Sequence, residues 1–377
     1  MSGNDYDETG GHGGDLARAL KEWNPAGGDF LDFSSNINPL GPPPGLIEHL
    51  STILPEIVSY PTPQARVLRE KLAVFLDLPV ERLIVGNGAN ELIHLLILWR
   101  RPGRVLIPAP AFSEYERAAV LAKAVVERFH LPPGKEFEPQ TLIDKIREGD
   151  LLVFCNPNNP TGKLYRRSEL LPVIQAAGQK GADVMVDESF MLLTGCPEES
   201  LRNLQGGHLW VVISLTKLWA LPGLRLGCAV GPAKEVAEIT GWGDPWRVNN
   251  IAQEAGIYCL DFPGYLKKSL ALFENERRFL AKKFQETGAF HVYEGSANFL
   301  LLRGLDPSFE VASFQADLAK RGVLIRRADT FCGLDRRHFR VAVRRRDENL
   351  RLLKETKAWL ARSSAKKTDR ASRRDLF

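Results

Sequence analysis

The sequence predicts an α/β protein, with a large domain built on a mostly parallel seven-stranded sheet and a smaller α+β domain after it. Two observations carry this. Between residues 46 and 261, short apolar runs alternate with stretches of helical periodicity, the pattern of strands buried beneath helices on both faces. From about residue 262 the texture changes to long, charged, amphipathic helical stretches with only occasional strand-like runs. At 377 residues the chain can bury a large core in such an arrangement.

The strands of the large domain are expected at 83–85, 105–107, 125–129, 151–155, 184–186, 209–213 and 227–230. The smaller domain, 262–361, reads as a helix over 265–286, a strand at 298–302, a helix over 309–321, strands at 323–326 and 339–343, and a last helix over 347–361. Residues 1–45 form an N-terminal arm joining the small domain. It is glycine-rich around His12, helical over 16–23 and barred from helix at Pro42-Pro43-Pro44. Residues 362–377 have little apolar content and read as a disordered basic tail.

Charge and cysteine content narrow the function. The net charge of +4 arises from six Lys and Arg against two Asp between 362 and 377, so the body is neutral and gives no footprint for nucleic acid. No apolar run approaches a membrane span and the polar start is not a signal peptide, so a cytoplasmic protein that does not bind membranes is expected. The five cysteines (155, 196, 228, 259 and 332) form no CxxC pair, and the histidines are dispersed. Reduced, buried thiols and no metal site are expected.

The chemistry concentrates where strands end. An apolar run over 209–213 delivers Ser214, then Lys217, a Pro222-Gly223 turn and Arg225. A lysine in a partly desolvated pocket can condense with a carbonyl, while the hydroxyl and guanidinium can hold a phosphate. Gly86-Asn87-Gly88-Ala89-Asn90-Glu91 follows a strand and opens a helix, so its free N–H groups suit an anion. It lacks the endings of a dinucleotide or nucleotide phosphate loop. Asn156-Pro157-Asn158-Asn159-Pro160-Thr161-Gly162 and Asp187, at two further strand ends, add amide donors and a carboxylate that is costly to bury unpaired.

Ser214-x-x-Lys217 followed by Gly223-Leu-Arg225-Leu-Gly227 resembles the lysine motif of fold-type I pyridoxal-phosphate enzymes of the class I/II aminotransferase group. The resemblance implies pyridoxal 5'-phosphate as cofactor, joined to Lys217. It places the cofactor phosphate with Gly88, Ala89, Asn90, Ser214 and Arg225, the pyridine 3'-oxygen with Asn159 and the ring nitrogen with Asp187. Phe112 and Tyr115 are both candidates for the ring stacked on the cofactor. Phe190 stands where these enzymes carry a tyrosine that donates to the 3'-oxygen, a departure in the tuning of the lysine. Tyr60 matches a residue that reaches the neighbouring subunit's cofactor, which implies a homodimer with the active site at the interface. Arg340 resembles the clamp for the substrate carboxylate.

The arm, His12-Gly13-Gly14 with Asp32-Phe33-Ser34-Ser35-Asn36-Ile37-Asn38-Pro39, resembles the threonine-phosphate decarboxylases of cobalamin biosynthesis more than the histidinol-phosphate aminotransferases. That implies a phosphorylated amino acid as substrate, its phosphate held by His12, Asn36 and Arg326 and its carboxylate by Arg340 and Asn159. The alternative is an aminotransferase acting on histidinol phosphate, with every cofactor residue in common. A non-catalytic regulatory protein is a third reading, disfavoured because no DNA-binding module accompanies the domain.

Overall fold

The computed structural model describes residues 13–23 and 28–374. His12 therefore lies outside the described residues. Strand β1 (Leu31–Asp32) belongs to the arm. The central sheet is built from β2 (Leu83–Gly86), β3 (Arg104–Ala109), β4 (Val125–His130), β5 (Asp150–Cys155), β6 (Asp183–Asp187), β7 (Leu209–Ser214) and β8 (Gly227–Val230). The spatial order is β2-β8-β7-β6-β5-β3-β4, and β8 alone runs against the others.

The alternation of side chains along each strand explains why both faces are covered. Val105 and Ile107 of β3, with Leu151 and Val153 of β5, pack on one face against Leu92, Ile93 and Leu96 of the helix Ala89–Arg100. Leu106, Leu152 and Phe154 point the other way, into a core that also holds Leu170 and Val173 of the helix Arg167–Gln179. Because both faces are buried, these strands read in the sequence as continuous apolar runs.

In the small domain β9 (Phe290–Val292), β10 (Phe299–Gly304), β12 (Arg326–Arg327) and β13 (His338–Ala342) form an antiparallel sheet ordered β12-β13-β10-β9. It packs against the long helix Pro263–Gln285 through Phe284 and Phe290. The strand expected at 323–326 is split at Ile325: β11 (Val323–Leu324) pairs in parallel with β1, and β12 turns to β13. The arm continues from β1 between the domains. Ala342 N–H donates to Phe33 O at 2.9 Å, and the Asn38 amide donates to Leu218 O at 2.8 Å and Ser269 Oγ at 2.7 Å. Those bonds tie the arm to the small domain on one side and to the turn after Lys217 on the other.

Two expectations are corrected. The final helix does not stop near 361 but runs from Arg346 to Arg374, so most of the tail expected to be disordered is helical. The stretch has no Gly or Pro and is rich in Ala, Lys and Arg, all good helix formers, which outweighs its lack of an apolar face. Among the cysteines, 155, 228 and 259 are buried, but Cys196 is half-buried and Cys332 exposed. Among the described residues no helix is long and apolar enough to cross a membrane.

Candidate active site

The carboxyl ends of β2, β3, β5, β6 and β7 all open on one edge of the sheet, where α/β proteins gather their functional groups. Each contributes a residue singled out above: Gly88 to Asn90 after β2, Phe112 after β3, Asn159 after β5, Asp187 ending β6, and Ser214 and Lys217 at the end of β7. The reversal of β8 completes the set. A strand running backwards begins where its neighbours end, so Arg225, two residues before β8, returns to the same edge.

The phosphate turn and Arg225 are in close contact. Gly88 has φ +86°, and a methyl group there would sit 2.6 Å from an Arg225 guanidinium nitrogen. A methyl at Gly227 would sit 2.6 Å from the N–H nitrogen of Ala89, so only glycine lets β8 approach the helix start. The first N–H groups of the helix Ala89–Arg100 have no partners within the helix. Arg225, itself in a left-handed backbone conformation (φ +57°), brings its guanidinium against Gly88 at the start of that helix. The Asn90 side-chain oxygen is buried without a partner, while its NH2 approaches Glu114 at 3.4 Å. This is a cradle shaped for a phosphate. Ser214 Oγ lies 2.9 Å from Thr216 Oγ1 at its border.

Lys217 stands among three charges, Arg340, Arg225 and Asp187. Burial pushes its amine down to about 8, Arg340 and Arg225 push in the same direction, and Asp187 opposes them. Such an amine is a nucleophile near neutrality. Asp187 is fully buried, and burial raises its pKa against the hydrogen bonds from Ser189 and Tyr115 and the charge of Lys217. Its Oδ1 accepts from Ser189 N–H at 2.9 Å and from the Ser189 hydroxyl, and its Oδ2 from the Tyr115 hydroxyl at 2.5 Å.

That last bond separates the two aromatic candidates. Tyr115 is wholly buried beneath Phe112, whose ring meets it edge-on at 5.6 Å, so Phe112 is the one of the two on the open side. Phe190 packs edge-on against Phe299 at 5.1 Å and brings no polar group to the site.

On the small-domain side, Arg340 of β13 is buried over the Phe299 ring. Its two terminal nitrogens donate to Asn159 Oδ1, at 2.5 Å, and to Ser34 O, at 2.8 Å, while its Nε is buried without a partner. No carboxylate is bonded to it among the described residues, and burial lowers its pKa to about 9. Because the Asn159 oxygen accepts from Arg340, its NH2 is the group of that side chain that remains to donate. Arg326 lies directly opposite Arg340 in the register of β12 with β13, over Phe331 and donating to Thr330 Oγ1 at 2.9 Å. Asn36 is buried with its side-chain oxygen unpartnered, and its backbone oxygen accepts from the Asn298 amide at 3.0 Å.

Sequence reasoning missed Asn298, Ser189 and the Tyr115–Asp187 bond. Asn298 carried a readable signal, a lone polar residue at the start of an apolar strand. Tyr60 is not drawn into this chain's site: it is 82% exposed and leans on Trp246 at 5.0 Å. Among the described residues no group of three or more His, Cys, Asp or Glu is placed to hold a metal ion.

The class I and II aminotransferase family matches this chain over residues 28–355. The chain belongs to that family. Its cofactor is therefore pyridoxal phosphate, and the turn at Gly88–Asn90 with Arg225 against it, the depressed lysine and the buried aspartate fit the phosphate, the aldehyde and the ring nitrogen of that molecule. The chain is 32% identical over 349 residues to a threonine-phosphate decarboxylase of Salmonella typhimurium, spanning 91% of this chain and 94% of that protein. It is 33% identical over 336 residues to a histidinol-phosphate aminotransferase of Symbiobacterium thermophilum, spanning 88% and 91%. Among solved structures it resembles an L-threonine-O-3-phosphate decarboxylase from Porphyromonas gingivalis, with a TM-score of 0.77 and 26% identity over 87% of this chain and 99% of that one.

Proposed function

We propose that this family member decarboxylates L-threonine O-3-phosphate to (R)-1-amino-2-propanol O-2-phosphate, a step of cobalamin biosynthesis. Identities of 32% and 33% to a decarboxylase and to an aminotransferase do not separate the two reactions. The observation that carries the reading is the pair of buried guanidiniums, Arg340 and Arg326, side by side on β13 and β12. Of the two, Arg340 has its Nε unpartnered and no carboxylate bonded to it among the described residues, a desolvated cation that a substrate carboxylate would relieve. Threonine phosphate has a carboxylate and a phosphate; histidinol phosphate has only the phosphate.

In this reading Arg340 and the Asn159 amide take the carboxylate, and Arg326 with Asn36 takes the phosphate, joined by His12 from the arm. When bound, pyridoxal phosphate accepts the electron pair left as the bond from Cα to the carboxylate breaks. Asp187 keeps the ring nitrogen protonated. Arg340 and Arg326, fixing the two ends of the substrate, would set which bond at Cα is the one to break. The Lys217 amine then delivers a proton to Cα, in place of the departed carbon dioxide.

An aminotransferase working with a dicarboxylic 2-oxo acid would use the same two arginines, so the deciding test omits any acceptor. Purified protein with pyridoxal phosphate and threonine phosphate alone is expected to release one carbon dioxide per amine formed. Turnover that appears only after 2-oxoglutarate is added would replace this reading with the aminotransferase one.

The site is also completed by a second copy of the chain. Ile57, Val58, Tyr60 and Trp246 expose an apolar strip, with Val58 89% exposed and Tyr60 against Trp246, whose neighbour Arg247 pairs with Glu91 in the first turn of the helix Ala89–Arg100. Covering it with the same strip of a partner would bring Tyr60 to the partner's cofactor. Sedimentation of the holoprotein is expected to give the mass of two chains, and a single-chain mass at micromolar concentration would remove Tyr60 from the site.

A further inference from the structure

Tyr115 lies three residues after Phe112, in the first turn of the helix Ser113–Leu121, and is completely buried. A core tyrosine needs one partner for its hydroxyl, and any backbone carbonyl would serve. This one instead donates to Asp187 Oδ2 at 2.5 Å, across 72 positions in the chain. Asp187 receives its other bonds from Ser189, through the backbone N–H and the hydroxyl. Among the described residues no cation is bonded to it. Its charge is thus carried in the apolar core by neutral donors from two directions, Ser189 from its own loop and Tyr115 from the helix on the far side of the sheet edge.

We propose that Tyr115 is a positioning residue, which holds the Asp187 carboxylate as an oriented anion so that the cofactor ring nitrogen keeps its proton. Each oxygen has its own donor, from a different segment of the chain, which fixes the plane of the carboxylate as a single hydroxyl could not. Tyr115 acts only as donor: burial and the neighbouring carboxylate push its own pKa well above the ordinary value. Losing that donor makes Asp187 more basic. The proton shared with the ring nitrogen then moves towards the carboxylate, and the ring becomes a weaker electron sink. The inference rests on the cofactor alone and is independent of the substrate.

Tyr115→Phe removes the hydroxyl and keeps the ring. Titrating apoprotein with pyridoxal phosphate, followed by tryptophan fluorescence without substrate, is expected to show a dissociation constant raised roughly tenfold. On whichever substrate is turned over, kcat falls roughly 10- to 100-fold while KM stays within about threefold. Ser189→Ala is expected to act in the same direction on the cofactor dissociation constant. In an Asp187→Asn background, Tyr115→Phe should change that constant by less than about twofold, because the hydroxyl acts through the carboxylate. An unchanged dissociation constant in both single variants, or an equal effect of Tyr115→Phe with and without the aspartate, overturns the proposal in favour of a plain core residue. Failure of threonine phosphate to react would leave these binding measurements unaffected.

Discussion

Replacing Lys217 with alanine is expected to cut turnover on the order of 10⁴-fold and to abolish fixation of the cofactor to the chain by borohydride. The expectation follows from the surroundings of the amine. With burial, Arg340 and Arg225 all pushing it down to about 8, roughly a tenth of the amine is neutral at pH 7, against about one part in three thousand for an ordinary lysine. Here the charged form is the one that the fold disfavours. The rate of covalent capture of pyridoxal phosphate by the apoprotein should therefore rise about tenfold per pH unit as the solution approaches pH 8, and level off above it. Stopped-flow absorbance reads this directly. A profile that keeps climbing to the ordinary lysine range near 10.5 would show that the three influences do not converge on this side chain.

The same site shows how far a sequence can be read without a structure. Strands buried on both faces leave continuous apolar runs, which made most of the central sheet legible. The edge strand β4, largely exposed and carrying Glu127 and Arg128, is the exception to that pattern. The observed bounds of all seven strands lie within a few residues of those expected. Their directions were not legible. β8 is as apolar as β7, and only the chain path shows that it runs backwards and so returns Arg225 to the phosphate turn. The residues gathered at the carboxyl edge of the sheet were legible because turns and strand ends leave motifs of Gly, Pro and Asn. Residues acting from behind leave none: Tyr115 looked like either of two aromatics after a strand, and its bond to Asp187 spans distant segments. The break at Ile325 was equally hidden, since Val323–Arg327 is one uninterrupted β-type run and only the arm's arrival beside Val323 and Leu324 divides it. For the final helix the error lay in weighing composition above local propensity.

The two buried arginines should separate by the group that each one reads. Arg340 has its Nε unpartnered and no carboxylate bonded to it among the described residues, so the free protein bears the cost of a desolvated cation that the substrate relieves. Arg340→Met, of similar length and able to lie on Phe299, is expected to lower kcat/KM by roughly 10²- to 10⁴-fold, the usual consequence of breaking a buried charge pair. The apoprotein should unfold no more easily, because the lost bonds to Asn159 and Ser34 are offset by removal of that cation. Arg340→Lys should not rescue turnover, since an ammonium cannot hold a carboxylate by two parallel bonds. Arg326→Met is expected to spare the reaction but to erase selectivity. The ratio of kcat/KM for threonine phosphate over threonine should fall by about two orders of magnitude, a loss comparable with one charge-assisted anion contact. In Arg340→Met that ratio should barely move, because both substrates carry the carboxylate. Loss of phosphate selectivity in the Arg340 variant and its retention in the Arg326 variant would exchange the two roles, and with them the end of the substrate that faces the arm.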